Sequence, residues 1–232
     1  MIVTFTGEVD ERVAAEVASL GAVAELRADM LPYQEDFGYT AEQVSKLADS
    51  PLIVTVRSRE QGGHWEGTEA ARKRRVFDLL DTAGNIIDGV DYEIDAPHLP
   101  NVVKKAHSLG VLVIGSVHNF EETPSVNDLE DTFEVGRNAG ADVVKVATAV
   151  RTASEYQRAA SFTRLIRRRG EPLVTVPIGN PFYRTEMLGL GSMATYASAG
   201  EPVAEGQTNF RQTHQTLLGR YSAYAALFAV NH

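Results

Sequence analysis

The sequence predicts an α/β fold, a (β/α)8 TIM barrel built as a single domain over residues 1–232. Three observations predict it. Short β-branched runs alternate with longer amphipathic stretches eight times from end to end. Runs such as LIVTV (52–56) and VLVIG (111–115) are apolar on both faces, as parallel strands covered by helices require. After the first strand the chain reads TGEVDE, so the GxGxxG fingerprint of an open dinucleotide-binding sheet is absent.

Taken in order, the first strand is Ile2–Phe5 (IVTF), followed by a helix over Asp10–Leu20. The second strand, Ala22–Arg27, precedes a helix over Thr40–Ala48, and the third, Leu52–Arg57, precedes Thr68–Asp81. Val90–Ile94 leads to Leu99–Leu109, and Val111–Val117 to Ser125–Ala139. Asp142–Ala147 leads to Thr152–Arg169, and Leu173–Ile178 to a short helix near Arg184–Leu190. Met193–Ala197 closes the barrel and Thr208–Phe228 covers it. The loop after the third strand, SREQGGHWEG, differs in texture: two adjacent glycines, the lone Trp65 and mixed charges predict a mobile flap over one mouth.

Composition narrows the function classes. A net charge of -9 argues against bulk capture of nucleic acid. With no cysteine there is no disulfide, thiolate metal site or cysteine nucleophile. The start, MIVTFTGEVDERV, is acidic where a signal peptide is basic, and no apolar run approaches the roughly 20 residues that span a bilayer. A cytoplasmic protein without membrane attachment is expected.

Chemistry gathers at the carboxyl ends of the strands. The second strand ends in Glu25-Leu-Arg27 and the third in Thr55-Val-Arg57; the fourth carries Asp91-Tyr-Glu93-Ile-Asp95, the fifth Ser116-Val-His118 and the sixth Lys145. A spacing of two puts each pair on one face of its strand. A core serving stability alone would fill these positions with Val, Ile and Leu, and in this fold the carboxyl ends form the catalytic mouth.

Lys145, in ADVVKVAT, lies in an apolar strand with Val144 and Val146 on the opposite face, so it points inward with Ala147. Burial near Arg27 and Arg57 disfavours an ammonium, leaving an amine to attack a carbonyl; the structural alternative is a lysine that pairs with one inward carboxylate. His118 alone among the histidines ends an interior strand: His64 is in the flap, His98 and His107 flank the fourth helix, His214 is in the last helix and His232 is terminal. It is the natural proton shuttle beside such a lysine, or else a strand cap.

The segments ELRAD, IVTVRSREQGG, DYEID, VIGSVHNFEETPS, GADVVKVAT, YRTEMLGLGS and EGQT, in this order and spacing, resemble the motifs of the type I 3-dehydroquinate dehydratases. The resemblance implies a homodimeric hydro-lyase that acts on 3-dehydroquinate without cofactor or metal. It matches Lys145 to the imine-forming lysine, His118 to the general base and acid, and Glu25, Arg27 and Arg57 to substrate-binding residues. Arg184 matches the arginine that pairs with the substrate carboxylate, and Gln207 a hydrogen-bonding glutamine.

Four positions depart from the family pattern: Gln61, Ile178, Val203, and Glu205 in a loop that reads Ala-Glu-Gly-Gln where Ala-Pro-Gly-Gln is usual. Gln61-Gly62-Gly63 stands where Glu-Gly-Gly is common, with Glu60 one residue earlier; either Glu60 shifts into the assisting position or Gln61 keeps it without the charge. Ile178 replaces a methionine and Val203 a serine. Two other readings remain open at this level. One is a class I aldolase using the Gly191-Ser192 turn for a phosphate; the other is a binding protein on the same barrel.

Overall fold

Eight strands form one parallel sheet in the computed structural model, which describes residues 1–229; His232 lies outside the described residues. The strands are β1 (Ile2–Phe5), β2 (Val23–Arg27), β3 (Leu52–Thr55), β4 (Gly89–Glu93), β5 (Leu112–Asn119), β6 (Val143–Ala149), β7 (Leu173–Ile178) and β8 (Tyr196–Ser198). Their order, β7-β6-β5-β4-β3-β2-β1-β8, is that of a barrel opened at one seam. Across that seam the Met193 amide donates to the Leu173 carbonyl at 2.9 Å, and the Thr175 amide to Ser192 Oγ at 3.1 Å. The sheet is thereby drawn into a nearly closed (β/α)8 TIM barrel.

The covering helices are α1 (Glu11–Ser19), α2 (Phe37–Ser45), α3 (Glu69–Ala83), α4 (Leu99–Ser108), α5 (Val126–Asn138), α6 (Ala153–Arg169), α7 (Pro181–Leu190), α8 (Phe210–Arg220) and the short α9 (Ser222–Ala226). Their starts are encoded locally. Asp10 accepts from the Arg12 and Val13 amides, Thr68 from Ala71 and Ser125 from Asp128, each satisfying donors that a helix start leaves free. Thr152 and Glu155 form a reciprocal capping box at α6.

Strand alternation sorts the apolar residues into two layers. Outward side chains such as Val3, Leu26, Val54, Val90 and Val113 join one core beneath the first helices, and Val144, Val146 and Leu173 another beneath α5 and α6. Inward Ile2, Ile53, Ile114, Val174 and Val176 fill the barrel. No described helix is long and apolar enough to cross a membrane.

Several boundaries differ from expectation for physical reasons. β3 ends at Thr55, so Arg57 follows the strand. β8 begins at Tyr196 rather than Met193, because Ser192 and Met193 are engaged in closing the seam. α2 starts at Phe37, where the Asp36 side chain accepts from the Tyr39 amide. The single last helix is divided at Tyr221, whose extended backbone lets its hydroxyl donate to the Thr185 carbonyl at 2.7 Å.

Candidate active site

The register stacks the polar strand ends at one mouth. Thr55 pairs with Arg27 and Asp91, Ser116 with Glu93 and Lys145, and His118 with Ala147. His118 therefore sits one inward position above Ser116 on the strand beside Lys145. These side chains converge on a cavity lined by Glu25, Arg27, Arg57, Gln61, His118, Lys145, Arg184 and Gln207, which are eight of the nine residues expected in the site. The ninth, Glu60, is exposed and does not line it.

Asp91 is the hub. One carboxylate oxygen accepts from Arg57 Nη2 at 2.7 Å and from Ser116 Oγ at 2.6 Å, and the other from Lys145 Nζ at 2.9 Å. Burial pushes this carboxyl up, but Arg57, Lys145 and the Ser116 hydroxyl outweigh it and hold it well below the usual carboxylate range. Arg57 is itself buried, and its Nη1 reaches Glu93 at 3.1 Å and Ser116 at 2.6 Å. Burial lowers the guanidinium, and Asp91, Glu93 and Glu25 raise it by more. Behind it, Arg72 Nη1 lies 2.5 Å from the other oxygen of Glu93. Lys145 thus meets Arg57 through a carboxylate rather than directly, which is the pairing with an inward carboxylate that the sequence left open as the structural alternative.

Glu25 accepts from Thr4 at 2.8 Å and from Thr55 at 2.9 Å, and stands 3.9 Å from Lys145 Nζ. Arg27 is clasped by Asp29 through two parallel bonds of 2.9 and 2.8 Å. Both residues reach the cavity already positioned by neighbours.

Of the two loop residues, Gln61 faces the cavity. A short helical turn over Arg59–Gln61 aims its side chain inward, so that Oε1 accepts from the His118 amide at 2.7 Å and lies 3.2 Å from His118 Nδ1. Its Nε2 donates to Asp95 at 3.1 Å. An amide oxygen only accepts, so Nδ1 is the protonated nitrogen and Nε2 carries the lone pair. Burial, then Arg57 and Lys145, push the imidazole well below 6.5, which keeps it neutral near pH 7. Phe120 stacks on it with centroids 6.0 Å apart.

The loop expected as a flap does reach the mouth, and it is anchored there. Trp65 is buried in the core, and the His64 amide donates to Asp29 at 3.0 Å. Gly63 permits the close approach, since a Cβ there would lie 2.2 Å from the Arg57 carbonyl oxygen.

Arg184, from the first turn of α7, is the electrostatic counterpart on the far wall. It is buried, forms no ion pair among the described residues and leaves Nε without a partner; its Nη2 donates to the Glu205 carbonyl at 2.9 Å. Burial lowers it to about 10, so it remains charged at neutral pH. Gln207 accepts from the Val203 amide at 2.9 Å, which folds the loop after β8 over the cavity. Gly206 (φ 75°) makes that fold possible: a Cβ would lie 2.8 Å from the Gly179 carbonyl carbon. Ile178 and Val203, two of the altered positions, line the same cavity.

Sequence reasoning assigned no role to Asp91, Asp29 or Tyr196. Asp91 carried a signal, an acid in an interior strand. Tyr196 carried none, because an aromatic residue in a strand reads as core. Its ring centroid lies 4.2 Å from Lys145 Nζ. Ser192, by contrast, is at the opposite end, where Oγ accepts from the Thr175 amide and donates to the Ala194 carbonyl, so the phosphate reading has no support at the mouth.

A buried lysine, a neutral histidine and a guanidinium without an ion-pair partner among the described residues thus share one mouth of the barrel. A sequence model described as type I 3-dehydroquinase matches residues 1–222. The 3-dehydroquinate dehydratase of Thermodesulfovibrio yellowstonii is 29% identical over 189 residues, spanning 81% of this chain and 80% of the relative. That of Methanosarcina acetivorans is 30% identical over 190 residues, spanning 79% and 78%. The crystal structure of 3-dehydroquinate dehydratase from Geobacillus kaustophilus superposes with a TM-score of 0.83 at 25% identity, covering 95% of this chain and 91% of that one. The chain belongs to the type I 3-dehydroquinase family.

Proposed function

We propose that the chain dehydrates 3-dehydroquinate to 3-dehydroshikimate, with Lys145 as the imine-forming residue and His118 as the general base and acid. Family membership supports the reaction, a hydro-lyase step of the shikimate pathway. The observation that carries the residue roles is a single cavity holding a buried amine, a neutral imidazole and an unpaired arginine.

The Lys145 nitrogen attacks the C3 ketone; the carbonyl oxygen departs as water and a protonated imine remains. This cation draws electrons from C2, so the C2 proton becomes acidic. His118 Nε2 takes that proton, and the electron pair forms the C1–C2 double bond as the C1 hydroxyl leaves. The same imidazole returns the proton to the departing oxygen. Water then cleaves the imine and regenerates Lys145. Arg184 receives the substrate carboxylate, with Gln207, Glu25, Arg27 and Arg57 shaping the rest of the cavity.

Neither metal nor cofactor has a part in this scheme, and full activity in chelator is expected. We also read the chain as cytoplasmic, homodimeric and without nucleic-acid partners. The composition supports the first and last of these readings and the family resemblance supports the dimer, for which light scattering is the test.

Borohydride added during turnover tests the covalent step. A stable adduct mapped to Lys145, with loss of activity, is expected. A label elsewhere, or none on an active enzyme, would end the imine reading; binding of 3-dehydroquinate without turnover would favour a binding protein.

A further inference from the structure

Five segments surround the Lys145 nitrogen. Asp91 on β4 touches it at 2.9 Å and Glu25 on β2 stands at 3.9 Å. Arg57, just beyond β3, holds Asp91 from behind, and His118 is the titratable group of β5. From β8 comes the Tyr196 ring, its centroid 4.2 Å from Nζ. The tyrosine is buried, and its enclosed hydroxyl has no hydrogen-bond partner among the described residues. What Tyr196 offers Lys145 is therefore the face of its ring. Burial, with Glu25 and Asp91 nearby, pushes the phenol well above its ordinary range, so the ring stays uncharged.

We propose that Tyr196 is a positioning residue of this reaction, whose ring face keeps the Lys145 imine nitrogen protonated while the adjacent C–H bond is broken. The inference rests on the imine reading above. An ammonium and a ketone become a protonated imine and water: the C–N bond forms, the C–O bonds break, and one positive charge stays on nitrogen. The donors do not stay. An ammonium has three N–H bonds and a protonated imine has one.

One donor can serve a single carboxylate. An aromatic face attracts the cation whichever way that N–H points. The ring thus retains its hold through a step that removes hydrogen bonds. It also discriminates in the useful direction, because the neutral imine gains little from the ring and is a poor electron sink.

Fluorinated phenylalanines at position 196, with Tyr196→Phe as their reference, drain the ring face at nearly constant shape. The dependence of kcat on pH reports groups titrating in the enzyme–substrate complex. We expect the alkaline limb to move toward neutrality with each added fluorine, by about one pH unit across the series, a tenfold change in the imine's proton affinity. The acid limb, set by His118, stays in place.

A flat alkaline limb overturns the inference. So does a shift already complete in Tyr196→Phe, which would assign the effect to the hydroxyl. Borohydride mapping of the unaltered enzyme separates this inference from its parent. No adduct on Lys145 in an active enzyme overturns both, whereas an adduct together with a flat series overturns only the role of Tyr196.

Discussion

The two ends of the barrel are built from the same inward stripes and could hardly differ more. At the amino ends of the strands, Ile2, Val23, Ile53, Ile114, Val143, Val174, Met193 and Ala194 line an apolar floor. One inward step along, Ile53 gives way to Thr55, Ile114 to Ser116 and Val143 to Lys145; Val23 gives way to Glu25, and Gly89 to Asp91. The change runs across β1 to β6, Ile2 giving way to Thr4, and spares β7, where Val174, Val176 and Ile178 stay apolar to the mouth. Stability and chemistry are thus separated by one repeat of the strand, and the cavity has an ionic wall facing an apolar one. The ionic wall contacts the amine; Arg184 enters from a helix beyond the apolar wall.

That separation can be broken at either end. Lys145→Ala should reduce dehydration on the order of a thousandfold or more, the scale set by losing a covalent nucleophile. The melting temperature should hold nearly steady, because Asp91 keeps Arg57 and Ser116. Steady-state rates with a thermal melt check both statements, and a melt that collapses would show that the amine is part of the framework. Ile114→Ala at the floor should do the opposite. A buried isoleucine cut to alanine costs about 2–5 kcal/mol, read by denaturant unfolding, with KM little changed. A large rise in KM would join the two ends.

The smallest effect falls on the loop. Gln61→Ala removes the acceptor of His118 and should slow the reaction about fivefold, the equivalent of one hydrogen bond of about 1 kcal/mol. Glu60→Gln, altering an exposed side chain, should be nearly silent; a larger loss for Glu60→Gln than for Gln61→Ala would reverse the assignment. The sign of the pH response follows from the burial of His118. Its folded-state affinity for protons is depressed below 6.5, so activity should persist as pH falls through 6.5 and decline only below it. Gln61→Glu would place a negative charge beside the ring and carry that acid limb upward.

The barrel and the convergence of Lys145 and His118 on one cavity were legible because strand periodicity is local. Lys145 and His118 stand out as polar residues on stripes that are otherwise apolar. What stayed illegible depends on contacts distant in sequence. Whether Glu60 or Gln61 faces inward is decided by a helical turn that no spacing rule reports. The break at Tyr221 depends on a partner in α7, Thr185. Tyr196 gains its meaning only when β8 docks on β1 and brings the ring to a lysine 51 positions earlier. Arg57 was read as a substrate contact, and nothing local reveals that Asp91, Glu93 and Ser116 engage it.

The seam between β7 and β8 has a consequence for how the molecule breathes. β8 has three residues and a ladder on one side only, toward β1; toward β7 it is tied through Met193 and Ser192. Local opening concentrates where few buried backbone bonds must break, so the amides around this seam should exchange with solvent before those of β2 to β6. Tyr196 lies in that pliable sector, and Gln207 and Arg184 lie beside it, whereas Lys145, Asp91 and His118 belong to the contiguous ladder. The half of the cavity that holds Tyr196, Gln207 and Arg184 can therefore loosen and re-form while the half that holds Lys145, Asp91 and His118 keeps its shape.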